Sequence, residues 1–390
     1  MKMESKTSSQ VEIRILQIVL LIYFVMIPIR TWIFGDDFEV FWFAARDLFA
    51  GSRIYSVESY GNMVFKYPPW TLPVFIPFAA LPLSTAKIIW GWVQSFSLVF
   101  VVRWLGRRGA RTGVVTVLLV LFSGVILVHA NVGQITLPLL AISLGTESVY
   151  TQHERGWRFS LLSWTLGSKI FSAFPLLGLH WRNRLTLRAV LRTTALLILL
   201  SLPVAWLSYR LNLHLLMREW IDALFSGTQG IHARKIGFTT RECQGLPSFI
   251  LRVFQLNEEN RTHLLLSILG PAAVLFAGWK ISTKSLSRSD QWLALLALTP
   301  LIQPLAWFHF FWMVFPVGVF AIDRALSARN RIALFVGSVG LVLVAAVTQK
   351  TLGSLGYAME MASVKSWGTL ICLGSFIMTA PRTAREPRDA

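Results

Sequence analysis

Two adjacent carboxylates, Asp36 and Asp37, open the stretch GDDFEVFWFAARDLFAG (35–51), directly after a long apolar run. The chain has only 19 acidic residues against 37 basic ones, so an acidic pair at the edge of an apolar segment stands out. A carboxylate held there can take a proton from a hydroxyl as that oxygen attacks another centre. It can also serve the fold alone. Asp36, with Glu39 three residues on, resembles a capping box at a helix start. Asp37 then falls in the first turn, where the helix macrodipole favours an anion.

Cations in the same layer can hold a leaving phosphate as charge builds on it. Lys66 precedes Tyr67 in KYPP, and Lys87 lies near the outer end of the second apolar run. Lys169 sits at a break between two short apolar halves, where an isolated charge in a membrane is costly and usually functional. His309 stands in AWFHFF (306–311). Structural alternatives exist: Lys87 can snorkel to the interface, and His309 can belong to an aromatic belt. Lys169 has no nearby acid in the sequence to pair with. NVGQ (131–134) supplies two amides, Asn131 and Gln134, at an outer helix end, able to bind sugar hydroxyls; Asn and Gly there also suit a helix terminus. No His/Cys/Asp/Glu cluster has metal-ligand spacing, so neither metal nor other cofactor is expected. Cys243 and Cys372 lie too differently placed to pair.

These residues need a frame. The 390-residue chain is 54% hydrophobic and 14% charged, against roughly 25% charged in soluble domains. Apolar runs near the bilayer-crossing length recur throughout, so we expect an all-α polytopic membrane protein of 11–12 hydrophobic helices. Short alternating strands, the mark of a membrane barrel, are not evident. The first run has no small-residue cleavage site and reads as a retained helix. A net charge of +18 suggests nucleic acid in a soluble protein; here basic clusters at 103–111, 181–192, 280–288 and 324–331 set topology instead. Placing them inside puts both termini in the cytoplasm and makes 35–69 and 209–261 external.

The expected spans cover about 13–34, 84–105, 113–130, 135–151, 189–208, 263–280, 291–308, 310–322, 332–348 and 366–380, with two half-helices around Lys169. YPPWTLPVFIPFAALP (67–82) is too short and too proline-broken to cross, and reads as re-entrant or interfacial. Phe38, Phe41, Trp42, Ala45, Leu48 and Phe49 form one stripe at helical spacing, so 36–50 reads as an amphipathic helix on the outer membrane surface. A single membrane domain over 1–380 and a cytoplasmic tail over 381–390 follow.

Outside a membrane there is no ready pool of nucleotide sugars. A group transferred there comes from a lipid carrier whose phosphate sits at headgroup level. A base for the acceptor and cations for the phosphate are what that chemistry needs.

The ordered motifs resemble glycosyltransferase family 87, within the polyprenyl-phosphate-dependent enzymes of the GT-C fold. That family's first loop runs G-x-D-F, A-A-x-x-L-x-x-G, Y, F-x-Y-P-P; this chain has GDDF (35–38), AARDLFAG (44–51), Tyr55 and FKYPP (65–69). NVGQ, LGSKIFSAFP (166–175), CQGLPSFILRVF (243–254) and TPLIQPLAWFHF (299–310) match further elements in order. The resemblance implies that Asp37 is the acceptor-activating base and that Lys169 and His309 lie by the lipid phosphate. Tyr67 and Gln244, in matching elements, join Asn131 and Gln134 as sugar- or acceptor-binding candidates. The chain departs from the family at Phe310, where a second His is expected, and at Ala306, Cys243 and Gly245.

The expectation is a membrane hexosyltransferase, with mannose the first choice of sugar. It would use a polyprenyl-phosphate donor and a lipid-linked or cell-envelope glycan acceptor, among membrane lipids and without nucleic acid. The alternative is a transporter or flippase of a lipid-linked glycan using the same cations. Such transporters commonly show broken helices in both halves, and here one clear break, at Lys169, is visible.

Overall fold

The computed structural model describes residues 9–52, 54–55, 65–151, 157–169, 187–209, 213–225, 239–257, 260–282, 286–303 and 305–381. Among them every regular element is helical. In chain order these are α1 (Gln10–Ile33), α2 (Asp36–Ala50), a 3-10 helix (Pro69–Val74), α3 (Ile76–Ala79), α4 (Leu83–Arg107), α5 (Thr112–Leu121), α6 (Ser123–Val132), α7 (Thr136–Gly145), α8 (Ser148–Thr151) and α9 (Trp157–Ser168). Then follow α10 (Leu187–Tyr209), α11 (Leu213–Phe225), α12 (Leu246–Val253), α13 (Arg261–Ser282), α14 (Arg288–Ile302), a second 3-10 helix (Phe308–Val314), α15 (Phe315–Ser327), α16 (Arg331–Ala345), α17 (Gln349–Met361) and α18 (Val364–Thr379).

Four of the described helical stretches are long and apolar enough to cross a membrane, or six if each bent pair counts as one span. This is an all-helical membrane protein, with fewer straight spans than the expected 11–12. Several expected spans are broken. The run at 113–130 bends by 59° between α5 and α6, and 332–348 ends where α16 turns by 102° into α17. At that second corner Thr348 caps α17 through a reciprocal capping box with Thr351, which stops α16 from continuing. The loop expected over 209–261 carries two helices, α11 and α12. The second half-helix after Lys169, and residues 382–390 of the expected tail, lie outside the described residues.

Of three buried apolar clusters among the described residues, two are large. The larger joins α1, α4 to α7, α14, the second 3-10 helix, α15, α16 and α18. The smaller joins α2 to Phe65, Leu72, Phe75, Trp90, Ile135, Leu139, Val204 and Leu216. Most of the apolar stripe of α2 is thereby covered by protein: Phe38, Phe41, Trp42, Ala45 and Leu48 are buried, and Phe49 at its far end is exposed. From Phe38 to Leu48 the expectation that this stripe lies on the membrane surface is corrected. The segment 65–83 brings its own aromatics to it, stacking Phe75 on Phe41 at 4.4 Å and setting Phe78 edge-on to Phe38 at 5.7 Å. The two helices within 67–82 are 6 and 4 residues long, each shorter than the length a helix needs to cross a bilayer.

At one end of the bundle, ion pairs lock the helix termini: Arg108 with Glu147, Arg111 with Asp323 at 2.5 Å, and Arg324 with Asp290 at 2.6 Å. α4 has 25 residues, so its other end lies about 37 Å away at 1.5 Å per residue. The acidic pair and its neighbours collect at that other end.

Candidate functional site

Two glycines set the geometry. Gly35 and Gly133 both have left-handed backbones, with φ of 52° and 69°, a conformation that glycine adopts without steric cost. A Cβ on Gly133 would stand 2.9 Å from Phe38 Cβ and 3.5 Å from Gly35 Cα. The GDDF and NVGQ turns therefore touch backbone to backbone. The Gly35 N–H donates to the Asn131 carbonyl at 2.7 Å, and Trp90 Nε1 donates to the Gly133 carbonyl at 2.7 Å. Trp90 also stacks on Phe38 at 5.6 Å.

This approach delivers Gln134 to Asp37. Gln134 Nε2 donates to Asp37 Oδ2, while Gln134 Oε1 accepts from the Tyr67 hydroxyl at 2.9 Å and from Lys169 Nζ at 3.1 Å. Lys169 Nζ also donates to Thr136 Oγ1 at 2.9 Å. Its ammonium lies 3.4 Å from the centre of the Phe310 ring and 5.5 Å from that of Tyr67. Phe310, where the resemblance leads one to expect histidine, thus gives the lysine an aromatic face. Three elements expected at the site, from α2, the α6–α7 turn and the end of α9, meet around one carboxamide.

Burial pushes the Asp37 carboxyl up to about 6, and neighbouring Asp36 adds to the rise; the Gln134 hydrogen bond and the Lys169 charge hold it lower than burial alone would. Burial, with help from the Asp37 charge, raises Tyr67 well above the ordinary phenol value, so the phenol keeps its proton and acts as a donor.

His309 is 2% exposed, and neither ring nitrogen has a hydrogen-bond partner among the described residues. It faces His129 with ring centres 6.2 Å apart, and both rings lie within electrostatic reach of Lys169. His129 Nε2 accepts from the Leu137 N–H at 3.0 Å, which places the proton of a neutral ring on Nδ1. Neither His129 nor Thr136 is among the residues singled out from the sequence. A histidine inside an apolar helix is the available signal for the first.

The other candidates have the following places and partners. Lys87 pairs with Glu39 and donates to the Phe34 carbonyl at 2.8 Å, fastening the end of α1 to the start of α2. Glu39 is thus committed to Lys87. Asp36 is the first helical residue, with Gly35 as N-cap and no side-chain capping bond; the expected capping box is corrected. Lys66 lies near Cys243, and burial draws its pKa down to about 8. Gln244 is a structural clamp. Its N–H donates to the Ala306 carbonyl at 2.8 Å and its Nε2 to the Glu360 carbonyl at 2.7 Å. It steadies the turn that precedes His309. Asn131 offers its backbone carbonyl to Gly35, and its Oδ1 is buried with no partner among the described residues. No cluster of three His, Cys, Asp or Glu able to hold a metal occurs among the described residues.

The arrangement offers a proton acceptor on one side of Gln134 and a cation with a histidine pair on the other. The model of glycosyltransferase family 87 matches residues 65–304, more than half of the chain. Tyr67, Gln134 and Lys169 fall inside the matched stretch, and Asp37 and His309 outside it. No curated protein and no solved structure matches the chain.

Proposed function

The chain belongs to glycosyltransferase family 87, and from that premise we propose that it moves a hexose, mannose first, from a polyprenyl-phosphate donor to a hydroxyl of a lipid-linked or cell-envelope glycan. Asp37 takes the hydroxyl proton as that oxygen attacks the anomeric carbon. The bond from that carbon to the phosphate oxygen breaks, and its electron pair leaves with the phosphate. Lys169 and His309 meet the charge that grows there. Phosphate is a good leaving group, so no general acid is required. The reaction takes place on the external face of a multi-pass protein with both termini in the cytoplasm.

The observation that carries this reading is the sharing of Gln134 between Asp37 and Lys169. It supports a base and a phosphate-binding cation set on either side of one transfer. The test is radiolabel transfer in membranes containing the protein, with polyprenyl-phosphate hexoses supplied one at a time. Label from polyprenyl-phosphate mannose should appear in a glycan product. Label from no such donor would overturn the proposal.

A further inference from the structure

Gln134 makes three hydrogen bonds that fix which way its carboxamide faces. An amide can flip, exchanging its oxygen and nitrogen. Here Oε1 meets the Tyr67 hydroxyl and the Lys169 ammonium. An ammonium has only donors. A flipped Gln134 would aim its NH2 at that ammonium and its oxygen at the Asp37 carboxylate, which is unfavourable at both ends. Lys169 is itself tied to Thr136 Oγ1 and set against the Phe310 ring. The backbone below is held by the close contact of Gly133 with Phe38 and Gly35.

We propose that Gln134 is a positioning residue for the base: clamped by Tyr67 and Lys169, it occupies Asp37 Oδ2 and leaves Asp37 Oδ1 for the acceptor hydroxyl. This rests on the reading of Asp37 as the base. No other hydrogen bond to the Asp37 carboxylate occurs among the described residues. The charged and titratable groups that face it are Lys169 at the end of α9, Tyr67 ahead of the first 3-10 helix, and Asp36 on its own helix. Only Gln134 and Lys169 favour its ionised form, and Lys169 reaches it across Gln134. The amide therefore sets both the direction of the carboxylate and the pH at which it becomes a base. It also explains why a glutamine, with a donor and an acceptor on one plane, stands between an acid and a lysine: a methionine fills the volume but serves neither.

The test reads Asp37 directly. Dicyclohexylcarbodiimide reacts with protonated carboxyls in apolar surroundings, so its labelling of Asp37 in the full-length membrane protein, followed by peptide mass spectrometry across pH, reports the titration. The parent should show a midpoint at about 6. In Gln134→Met, loss of a hydrogen bond to the ionised form should move the midpoint up by about one unit. Tyr67→Phe keeps the ring and the Lys169 contact but frees one side of the amide; its midpoint should move the same way, by less. This second variant serves if Gln134→Met does not fold. The acid limb of transfer from polyprenyl-phosphate mannose should move with the labelling midpoint. Midpoints unchanged from the parent in both variants overturn the proposal. A parent that transfers no sugar, with the labelling shift intact, upholds the amide clamp and counts against the transferase reading alone.

Discussion

Replacing Gly133 by alanine should damage catalysis more than it damages the fold. The new Cβ would lie 2.9 Å from Phe38 Cβ, where carbon atoms prefer about 3.5–4.0 Å. The NVGQ turn and the start of α2 must therefore separate by about 0.5–1 Å. The left-handed backbone adds about 1–2 kcal/mol for any residue with a Cβ, and the overpacking about 1–3 kcal/mol. Gly51, at the other end of α2, separates the two costs. Its φ is 66°, and a Cβ there would meet nothing within 4 Å. Gly51→Ala should bear the backbone cost alone. Only Gly133→Ala widens the gap that Gln134 bridges to Asp37, and a misplacement of about 1 Å can cost about 10²-fold in rate. The assay is sugar transfer per folded molecule for both variants, with thermal unfolding beside it. We expect both to melt lower and only Gly133→Ala to lose transfer beyond its loss of folded protein. Equal specific activity in the two variants would refute the view that glycine-mediated contact positions the site.

Transfer should rise about tenfold per pH unit up to about 6 and level off above, because a base must be ionised and burial raises Asp37. The same shift has a stability sign. The folded chain holds this proton to higher pH than the unfolded chain, so the contribution is present below about pH 4, the ordinary carboxyl range, and is lost as pH rises through about 6; thermal unfolding of Asp37→Asn at neutral pH, at or above the parent midpoint, checks it. Lys169→Ala and His309→Ala should each weaken use of the lipid donor by about 1.5–3 kcal/mol, the cost of a charge-assisted contact, with little change in abundance; transfer at varied donor concentration reads this, and parental rates in both would make these residues structural. With the topology proposed from the basic clusters, which places 35–69 outside, cysteine placed at Ser59 should react with an impermeant reagent in intact cells; labelling only after permeabilisation would reverse that topology.

Asp37, Lys169 and His309 can be singled out in the sequence because a charge or an imidazole in so apolar a chain needs a reason. Their companionship cannot. Gln134 and Asp37 are 97 residues apart, and their meeting depends on two glycines whose close approach has no local signature. Lys87 reads as a phosphate ligand in the sequence because its partner Glu39 lies 48 residues away and that acid has a nearer task on offer at the helix start. Phe310 looks like a loss relative to the family pattern until Lys169 is seen against its ring. The helical character of the chain is legible from its apolar runs. The bends after Leu121 and Ala345 do carry local signals, Ser123 with Gly124 at the first and the polar Thr348, Gln349 and Lys350 with their cap at the second, but a reading based on the length of apolar runs passes over them. The burial of the α2 stripe by protein is hidden for a related reason: an apolar face does not say whether lipid or aromatic side chains will cover it.

The most direct test of the account compares Asp37→Asn with Asp36→Asn. The first keeps the shape of the side chain and an oxygen for Gln134 but cannot accept the acceptor proton. The second changes an exposed residue that makes no side-chain capping bond. Measured as transfer from polyprenyl-phosphate mannose per folded molecule, at matched membrane abundance, Asp37→Asn should fall by about 10²–10⁴-fold while Asp36→Asn stays near the parent. Parental activity in Asp37→Asn, or collapse in Asp36→Asn alone, would contradict it.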